Sequence, residues 1–288
     1  MIHLAVIGKV LAHSLSPEIH RYMYEKLGIE GTYEKLELTP DEVPCIAKIM
    51  REKNLSGVNV TMPYKETVME YLDVLGEDAK AIGAVNTILL KDGKTYGYNS
   101  DYVGVCYMFD SHDVKLRGKE IVILGNGGAA HALIYAMKEA ETKKITVVAR
   151  SREKLAKLKE RFPYIEEKTY EEELCGDIII NTTPVGMYPN TGKSVVGKEV
   201  LRNFKVAADI VYNPLMTEFL LAAKREGLTV VSGLSMLVGQ AIHSEEIWFE
   251  RPIDYSLGEG IHDELAKRFA EYKDCKQTVE DSLAMLEE

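Results

Sequence analysis

Two residues of opposite charge could together manage a proton at a carbonyl. Lys65 closes the run Asn59-Val60-Thr61-Met62-Pro63-Tyr64-Lys65, and Asp101 closes Gly97-Tyr98-Asn99-Ser100-Asp101. An ammonium stabilises negative charge growing on a reacting oxygen and can protonate it, and a carboxylate within reach keeps the ammonium in place. Nearby in sequence stand Ser14-Leu15-Ser16, whose two hydroxyls share one side of an extended segment, and Gly83-Ala84-Val85-Asn86-Thr87. Such a set of hydroxyls, amides, one ammonium and one carboxylate suits a small polyhydroxylated substrate, since each buried hydroxyl needs a partner. Plainer uses exist for every one of them. Ser16, ahead of Pro17, reads as a helix N-cap; Ser14, Asn59, Asn86 and Asn99 read as turn residues; Asp101 could cap a helix over 102–109. Lys65 could be a surface lysine, although a place in the first turn of a helix disfavours its charge. Spacing alone does not bring Lys65 to Asp101.

A second chemistry is written in Gly125-Asn126-Gly127-Gly128-Ala129-Ala130, which follows an apolar run and opens a helical segment. Gly125, Gly127 and Ala130 fit G-x-G-x-x-G/A: a tight turn, a close backbone approach to a pyrophosphate, and a small residue where helix packs on strand. The helix N-terminus adds backbone donors and a positive dipole end. About 20 residues on, where an NAD site carries an acid for the ribose 2′-OH, stand Ala149, Arg150, Ser151 and Arg152. A guanidinium forks onto a 2′-phosphate, so the pattern favours NADP; the plain alternative is two solvated arginines beside a capping serine. Asn181-Thr182-Thr183-Pro184-Val185-Gly186-Met187 and Asp209-Ile210-Val211-Tyr212-Asn213-Pro214 end further apolar runs, where ligands of open sheets sit. Gly233 leads into a last apolar helix, on which Gln240 and His243 each need a partner.

Periodicity supplies the elements that must position these groups. Residues 4–7 and 57–61 read as strands, and 88–98 as a hairpin about Asp92-Gly93. Ile19, Tyr22, Met23 and Leu27 recur at helical spacing until Gly28, and Thr39-Pro40-Asp41-Glu42 is a capping box opening another helix. From residue 121 the pattern changes. Near-continuous apolar runs at 121–124, 145–148, 178–180 and 206–211 alternate with helical segments at 129–139, 151–161 and 217–225. That is the signature of a parallel sheet covered on both faces, hence a doubly wound α/β domain, with a boundary between 101 and 116. Residues 236–248, and then Ile261, Leu265, Phe269 and Tyr272, mark two further helices.

The chain has 288 residues, and 35 Lys and Arg against 45 Asp and Glu leave a net charge of −10, which argues against a nucleic-acid ligand. With 46% hydrophobic and 28% charged residues, a folded protein of about two domains is expected. No stretch approaches the ~18 apolar residues of a membrane span, and the first ten residues are too short for a signal peptide. Cys45, Cys106, Cys175 and Cys275 lack metal-ligand spacing and read as reduced packing residues. The expectation is a cytoplasmic protein without a metal, a membrane or a nucleic-acid partner, with a homodimer left open. Anions must be bound by local donors on an acidic body.

Taken in order, Ser-Leu-Ser-Pro (14–17), Asn-Val-Thr-x-Pro-x-Lys (59–65), Gly-Ala-Val-Asn-Thr (83–87), Gly-x-Asn-Ser-Asp (97–101), Gly-x-Gly-Gly-Ala (125–129), Asn-Thr-Thr-Pro-x-Gly-Met (181–187), Asp-x-x-Tyr-x-Pro (209–214) and Gly-x-x-Met-Leu-Val-x-Gln (233–240) resemble the shikimate dehydrogenase family. The resemblance implies a Rossmann NADP domain over 102–235 and an α/β substrate domain with a mixed sheet, discontinuous over 1–101 and 236–288. It implies NADPH-dependent reduction of 3-dehydroshikimate to shikimate in aromatic amino acid and chorismate biosynthesis. It casts Lys65 and Asp101 as the catalytic pair, Ser14 and Ser16 at the substrate carboxylate, and Thr61, Asn86 and Gln240 at the ring hydroxyls with Tyr212 nearby. Gly125, Asn126, Gly127, Gly128 and Ala129 would hold the pyrophosphate, Arg150 and Ser151 the 2′-phosphate, and Val211 and Gly233 would lie by the nicotinamide. The chain departs from the family at Ala149-Arg150-Ser151, often Asn-Arg-Thr, at Ser100, usually Thr, and at Thr182 and Pro184 within an Asn-Ala-Thr-Ser pattern. Two alternatives remain: a quinate/shikimate dehydrogenase with relaxed cofactor use, and a non-catalytic NADP-sensing protein on the same fold.

Overall fold

The computed structural model describes residues 1–12 and 14–271; Tyr272 and Cys275 lie outside the described residues. Contacts group the described residues into two units, Met1–Gly104 with Val238–Ile261, and Val105–Leu237 with His262–Glu271.

The first unit runs β1 (Ile2–Gly8), α1 (Ser16–Leu27), β2 (Gly31–Glu37), a 3-10 helix (Pro40–Cys45) continued by α2 (Ile46–Glu52), β3 (Gly57–Val60), a second 3-10 helix (Thr67–Tyr71), β4 (Val74–Leu75), α3 (Glu77–Ile82), β5 (Thr87–Lys91), β6 (Lys94–Tyr98) and the start of α4 (Asp101–Asp110). Its sheet is mixed, in the order β2-β1-β3-β5-β6-β4. The hairpin forms where Asp92 and Gly93 both take positive φ, as a tight two-residue turn requires. β3 is parallel to β1 but antiparallel to β5, and the register sets Asn59 opposite Thr87 and Thr87 opposite Tyr98. The end of β3, the start of β5 and the end of β6 therefore meet at one edge, and the segments carrying Lys65, Asn86 and Asp101 leave from there.

Three local expectations are corrected. Ser16 is the first residue of α1 and not its cap; Leu15 holds that position without a side-chain bond, and the Ser16 N–H is instead accepted by Ser14 Oγ at 3.4 Å. The capping box at Thr39 forms, but on the 3-10 helix. Lys65 sits in the turn before the second 3-10 helix, so no helix dipole bears on it.

The second unit runs β7 (Glu120–Leu124), α5 (Gly128–Glu139), β8 (Lys144–Val148), α6 (Arg152–Arg161), β9 (Glu166–Lys168), β10 (Ile178–Asn181), α7 (Lys198–Leu201), β11 (Val206–Asp209), α8 (Glu218–Arg225) and β12 (Thr229–Ser232). All its strands are parallel, in the order β12-β11-β10-β7-β8-β9, so the strand order reverses beside β7. Open sheets bind ligands at that reversal. β12 was not foreseen, because Thr229–Ser232 is a four-residue strand directly after a helix and gives little periodicity. α9 (Leu234–Phe249) and α10 (Leu257–Glu271) follow; among the described residues no helix is long and apolar enough to cross a membrane.

From Val238 on, α9 packs in the first unit. Trp248 Nε1 donates to Ile88 O at 2.9 Å, and the indole packs with Leu4, Tyr24 and Leu89. His20 of α1 hydrogen-bonds Glu245 of α9 with both side chains fully buried, and the His20 ring stacks on Tyr33 at 4.1 Å. Removing one partner of a buried polar pair strands the other. Glu245→Ala is expected to cost about 3–5 kcal/mol of unfolding free energy, and His20→Leu with Glu245→Met to recover most of it, as read by denaturant titration.

Candidate active site

Lys65 reaches its place through a pinned turn. Tyr64 is buried and its hydroxyl donates to Leu38 O at 2.6 Å, while Lys65 O accepts the Val85 N–H at 2.7 Å. The Lys65 Nζ then lies 2.7 Å from Asp101 Oδ2, with 31% of the lysine side chain exposed against 14% of the aspartate. Asp101 opens α4 without capping it. The Asp101 N–H goes to Asn99 Oδ1 at 3.0 Å, and Asn99 is fixed in turn by Ala84 O and by Asp78. Both Asp101 oxygens are thus free for the site, and Oδ1 accepts Asn86 Nδ2 at 2.7 Å.

Asn86 is fully engaged. Its Oδ1 accepts the Ser100 N–H at 2.7 Å and the Thr87 hydroxyl at 3.0 Å, and its Nδ2 also reaches Ser100 Oγ at 3.0 Å. A backbone N–H can only donate, so the Ser100 bond fixes which end of the amide faces Asp101. Gln240, on α9, is joined to the cluster through Ser100 Oγ at 3.5 Å, the outer limit of a hydrogen bond. Ser14 Oγ donates to Ser16 Oγ at 3.3 Å, and Thr61 follows β3 with its N–H on Ile7 O. His243 finds a local partner: its Nδ1 is 2.8 Å from Glu246 Oε2, and its ring meets Tyr102 edge-on.

Sequence reasoning missed Ser244 and the roles of Asn59, Thr87 and Ser100. These four buried side chains hydrogen-bond to one another behind Asn86. A signal was present, since Ser244 follows Gln240 by four residues and so shares its helix face.

In the second unit, the glycine turn joins β7 to α5. Gly125 has φ +110, and a Cβ there would stand 2.5 Å from Thr182 Oγ1. At Gly127 a Cβ would meet nothing within 4 Å, so the N-terminus of the twelve-residue α5 opens onto free space. Asn126, Gly128 and Ala129 complete the turn and the first residues of that helix. Past β8, Arg150 is exposed while Arg152 pairs with Glu172 at 2.9 Å, and Ser151 caps α6 by accepting the Lys154 N–H. A capping hydroxyl still has its own proton to donate. This set of backbone donors, an exposed guanidinium and a hydroxyl fits a dinucleotide with a 2′-phosphate.

At the ends of β10 and β11, Asn181 Oδ1 accepts the Thr183 N–H, and Asn181 Nδ2 donates to Asp209 Oδ1 at 3.0 Å. Asp209 also accepts from Val211 N–H and the Thr217 hydroxyl. Burial nevertheless dominates and pushes its pKa up to about 6. Tyr212, next along, is half-buried, and desolvation raises the pKa of its phenol. Gly233 is obligatory, because a Cβ would stand 2.3 Å from Ile210 O.

This chain joins a doubly wound parallel sheet bearing a dinucleotide-type turn to a mixed-sheet unit bearing a lysine–carboxylate pair, the plan of a two-unit α/β dehydrogenase. Residues 6–88 match the family model of the shikimate dehydrogenase substrate binding domain, and residues 109–183 that of shikimate / quinate 5-dehydrogenase. The chain is 46% identical over 269 residues to a shikimate dehydrogenase (NADP(+)) of Clostridium perfringens, covering 92% of this chain and 98% of that protein. It resembles the crystal structure of shikimate dehydrogenase 1 from Peptoclostridium difficile (42% identity, TM-score 0.83, 92% and 98% of the two chains). It also resembles shikimate 5-dehydrogenase from Thermus thermophilus in complex with NADP(H) and shikimate (33% identity, TM-score 0.84, 92% and 99%). The chain belongs to the shikimate dehydrogenase family.

Asp209 makes a pH prediction. Its folded pKa of about 6 lies above the ordinary 3.8, so the stability it contributes is fully present below about pH 4 and is lost as pH rises through 6. That loss is on the order of 3 kcal/mol. Urea titrations from pH 4 to 7 are expected to show Asp209→Asn gaining about that much relative to the parent.

Proposed function

We propose that this protein catalyses the NADPH-dependent, reversible reduction of 3-dehydroshikimate to shikimate. The observation that carries the reading is the 2.7 Å contact between Lys65 and Asp101 in a chain 46% identical to an NADP(+)-dependent shikimate dehydrogenase. Met1–Gly104 with Val238–Ile261 serves as the substrate unit, and Val105–Leu237 as the cofactor unit. Ser14 and Ser16 take the substrate carboxylate; Thr61, Asn86, Gln240 and Tyr212 take the ring hydroxyls. Gly125, Asn126, Gly127, Gly128 and Ala129 cradle the pyrophosphate, Arg150 and Ser151 the 2′-phosphate, and Val211 and Gly233 border the nicotinamide. NADPH, when bound, supplies the hydride.

The protein's own work is orientation and proton management. As negative charge grows on the substrate oxygen, the Lys65 ammonium stabilises it and delivers the proton. Asp101 holds that ammonium in line, and its second oxygen is tied to Asn86, so the pair cannot turn away together. In the reverse direction Lys65 takes the hydroxyl proton. A cytoplasmic location belongs to the same reading, since reduced nicotinamide is regenerated there.

The second family model names shikimate and quinate together, which keeps quinate as a second substrate to test. Protein mixed with NADP⁺ or NAD⁺ and with shikimate or quinate is expected to form reduced nicotinamide, read at its near-ultraviolet absorbance, fastest with NADP⁺ and shikimate. No signal with any pair overturns the enzyme reading in favour of an NADP-sensing protein. Lys65→Ala is expected to lower kcat by about 10³-fold with little change in substrate KM, because the lysine acts on charge that exists only in the transition state.

A further inference from the structure

We propose that Ser244 is a positioning residue for the Lys65–Asp101 pair, acting through Asn86. The inference rests on the catalytic reading above. Ser244 is fully buried on α9 and its Oγ lies 3.0 Å from Asn59 Nδ2, 2.9 Å from Thr87 Oγ1, 3.0 Å from Ser100 Oγ and 2.9 Å from Gln240 O. A buried helical serine usually just returns its proton to the carbonyl one turn back, and Ser244 does so at Gln240. What differs is the crowd of protons aimed at its oxygen.

Asn59 is oriented by Tyr33, whose hydroxyl donates to Asn59 Oδ1 at 2.6 Å. Its Nδ2 must then donate, and its acceptors are Asn86 O, Thr87 Oγ1 and Ser244 Oγ. Thr87 and Ser100 each bring a hydroxyl proton; that of Thr87 has Asn86 Oδ1, Ser100 Oγ and Ser244 Oγ in reach, and that of Ser100 has Asn86 Oδ1, Gln240 Oε1 and Ser244 Oγ. With its own proton on Gln240 O, the Ser244 oxygen serves as the shared acceptor for the Asn59 amide and one hydroxyl. Without it, the Asn59 amide keeps Asn86 O and Thr87 Oγ1, but the hydroxyl proton turns to Asn86 Oδ1, the atom whose bond to the Ser100 N–H aims Nδ2 at Asp101. The helix is held at this azimuth by its next residue, since Glu245 is hydrogen-bonded to buried His20. Ser244 touches none of the reacting groups, so its effect must arrive as a change in how Asp101 holds Lys65.

The test is Ser244→Ala in the full chain, assayed in both directions, with shikimate and NADP⁺ and with 3-dehydroshikimate and NADPH, and with kcat divided by the concentration of NADPH-binding sites from fluorescence titration. That division removes any loss of folded protein. The expected result is a fall of about tenfold in kcat per site, with NADPH affinity unchanged. The primary isotope effect with 4-deuterated NADPH is expected to rise, because the step under Lys65–Asp101 control becomes more rate-limiting. Ser244→Cys, which keeps a small side chain with a weaker acceptor, is expected to fall between, and decides by the same readouts should the alanine variant not fold. A kcat per site within about twofold of the parent, or a fall with an unchanged isotope effect, overturns the proposal. Asp101→Asn runs alongside: full turnover there overturns both the catalytic reading and this one, whereas low turnover there with a parent-like Ser244→Ala overturns only this one.

Discussion

A backbone N–H can donate and cannot accept, and the geometry of the first unit's polar cluster follows from that one-sidedness at Ser100. Its N–H reaches Asn86 Oδ1 at 2.7 Å, which leaves the amide no choice about the atom it shows Asp101. Asp101 then has one oxygen on Asn86 Nδ2 and the other on Lys65, each at 2.7 Å. An ion pair this exposed is worth little on its own, since solvent screens it and side-chain entropy opposes it. Ordering comes from the neutral groups behind it, which have no rotational freedom left to exploit.

The second unit repeats the device with a different outcome. Asn181 Oδ1 is likewise fixed by a backbone N–H, that of Thr183, and its Nδ2 likewise faces an aspartate, Asp209. Three donors favour the ionised form of Asp209, yet desolvation outweighs them and its pKa rises to about 6. The same amide–carboxylate motif thus gives an oriented, lysine-paired carboxylate in one unit and a costly buried one in the other.

How much of this could be read from residue order depended on distance along the chain. The glycine turn was legible because β7, the turn and α5 are contiguous, and the reasons for glycine at 125 are local. The hairpin at Asp92-Gly93 was legible for the same reason. Lys65 and Asp101 could be named by type but not joined, as they stand 36 positions apart with the β5–β6 hairpin between them. Ser16 was misread as a cap because Ser before Pro is a strong local signal, while tertiary context placed the helix start one residue earlier. Ser244 went unnoticed because a serine in an apolar helix has a satisfying local use. Only the strands opposite it, Gly57–Val60 and Thr87–Lys91, show what else its oxygen does.

The discontinuity of the first unit has a consequence for how the protein comes into being on the ribosome. Ser244 meets Ser100 across 144 residues of chain. At ordinary elongation rates the strands bearing Asn59, Thr87 and Ser100 wait on the order of 10 s for the segment that satisfies them, including the indole that closes on Ile88. The second unit's sheet, spanning Glu120–Ser232 without interruption, can form its strand pairs during that wait. The nascent first unit is therefore the part of the chain that chaperones have reason to recognise, and the emergence of α9 from the tunnel is what ends its vulnerability.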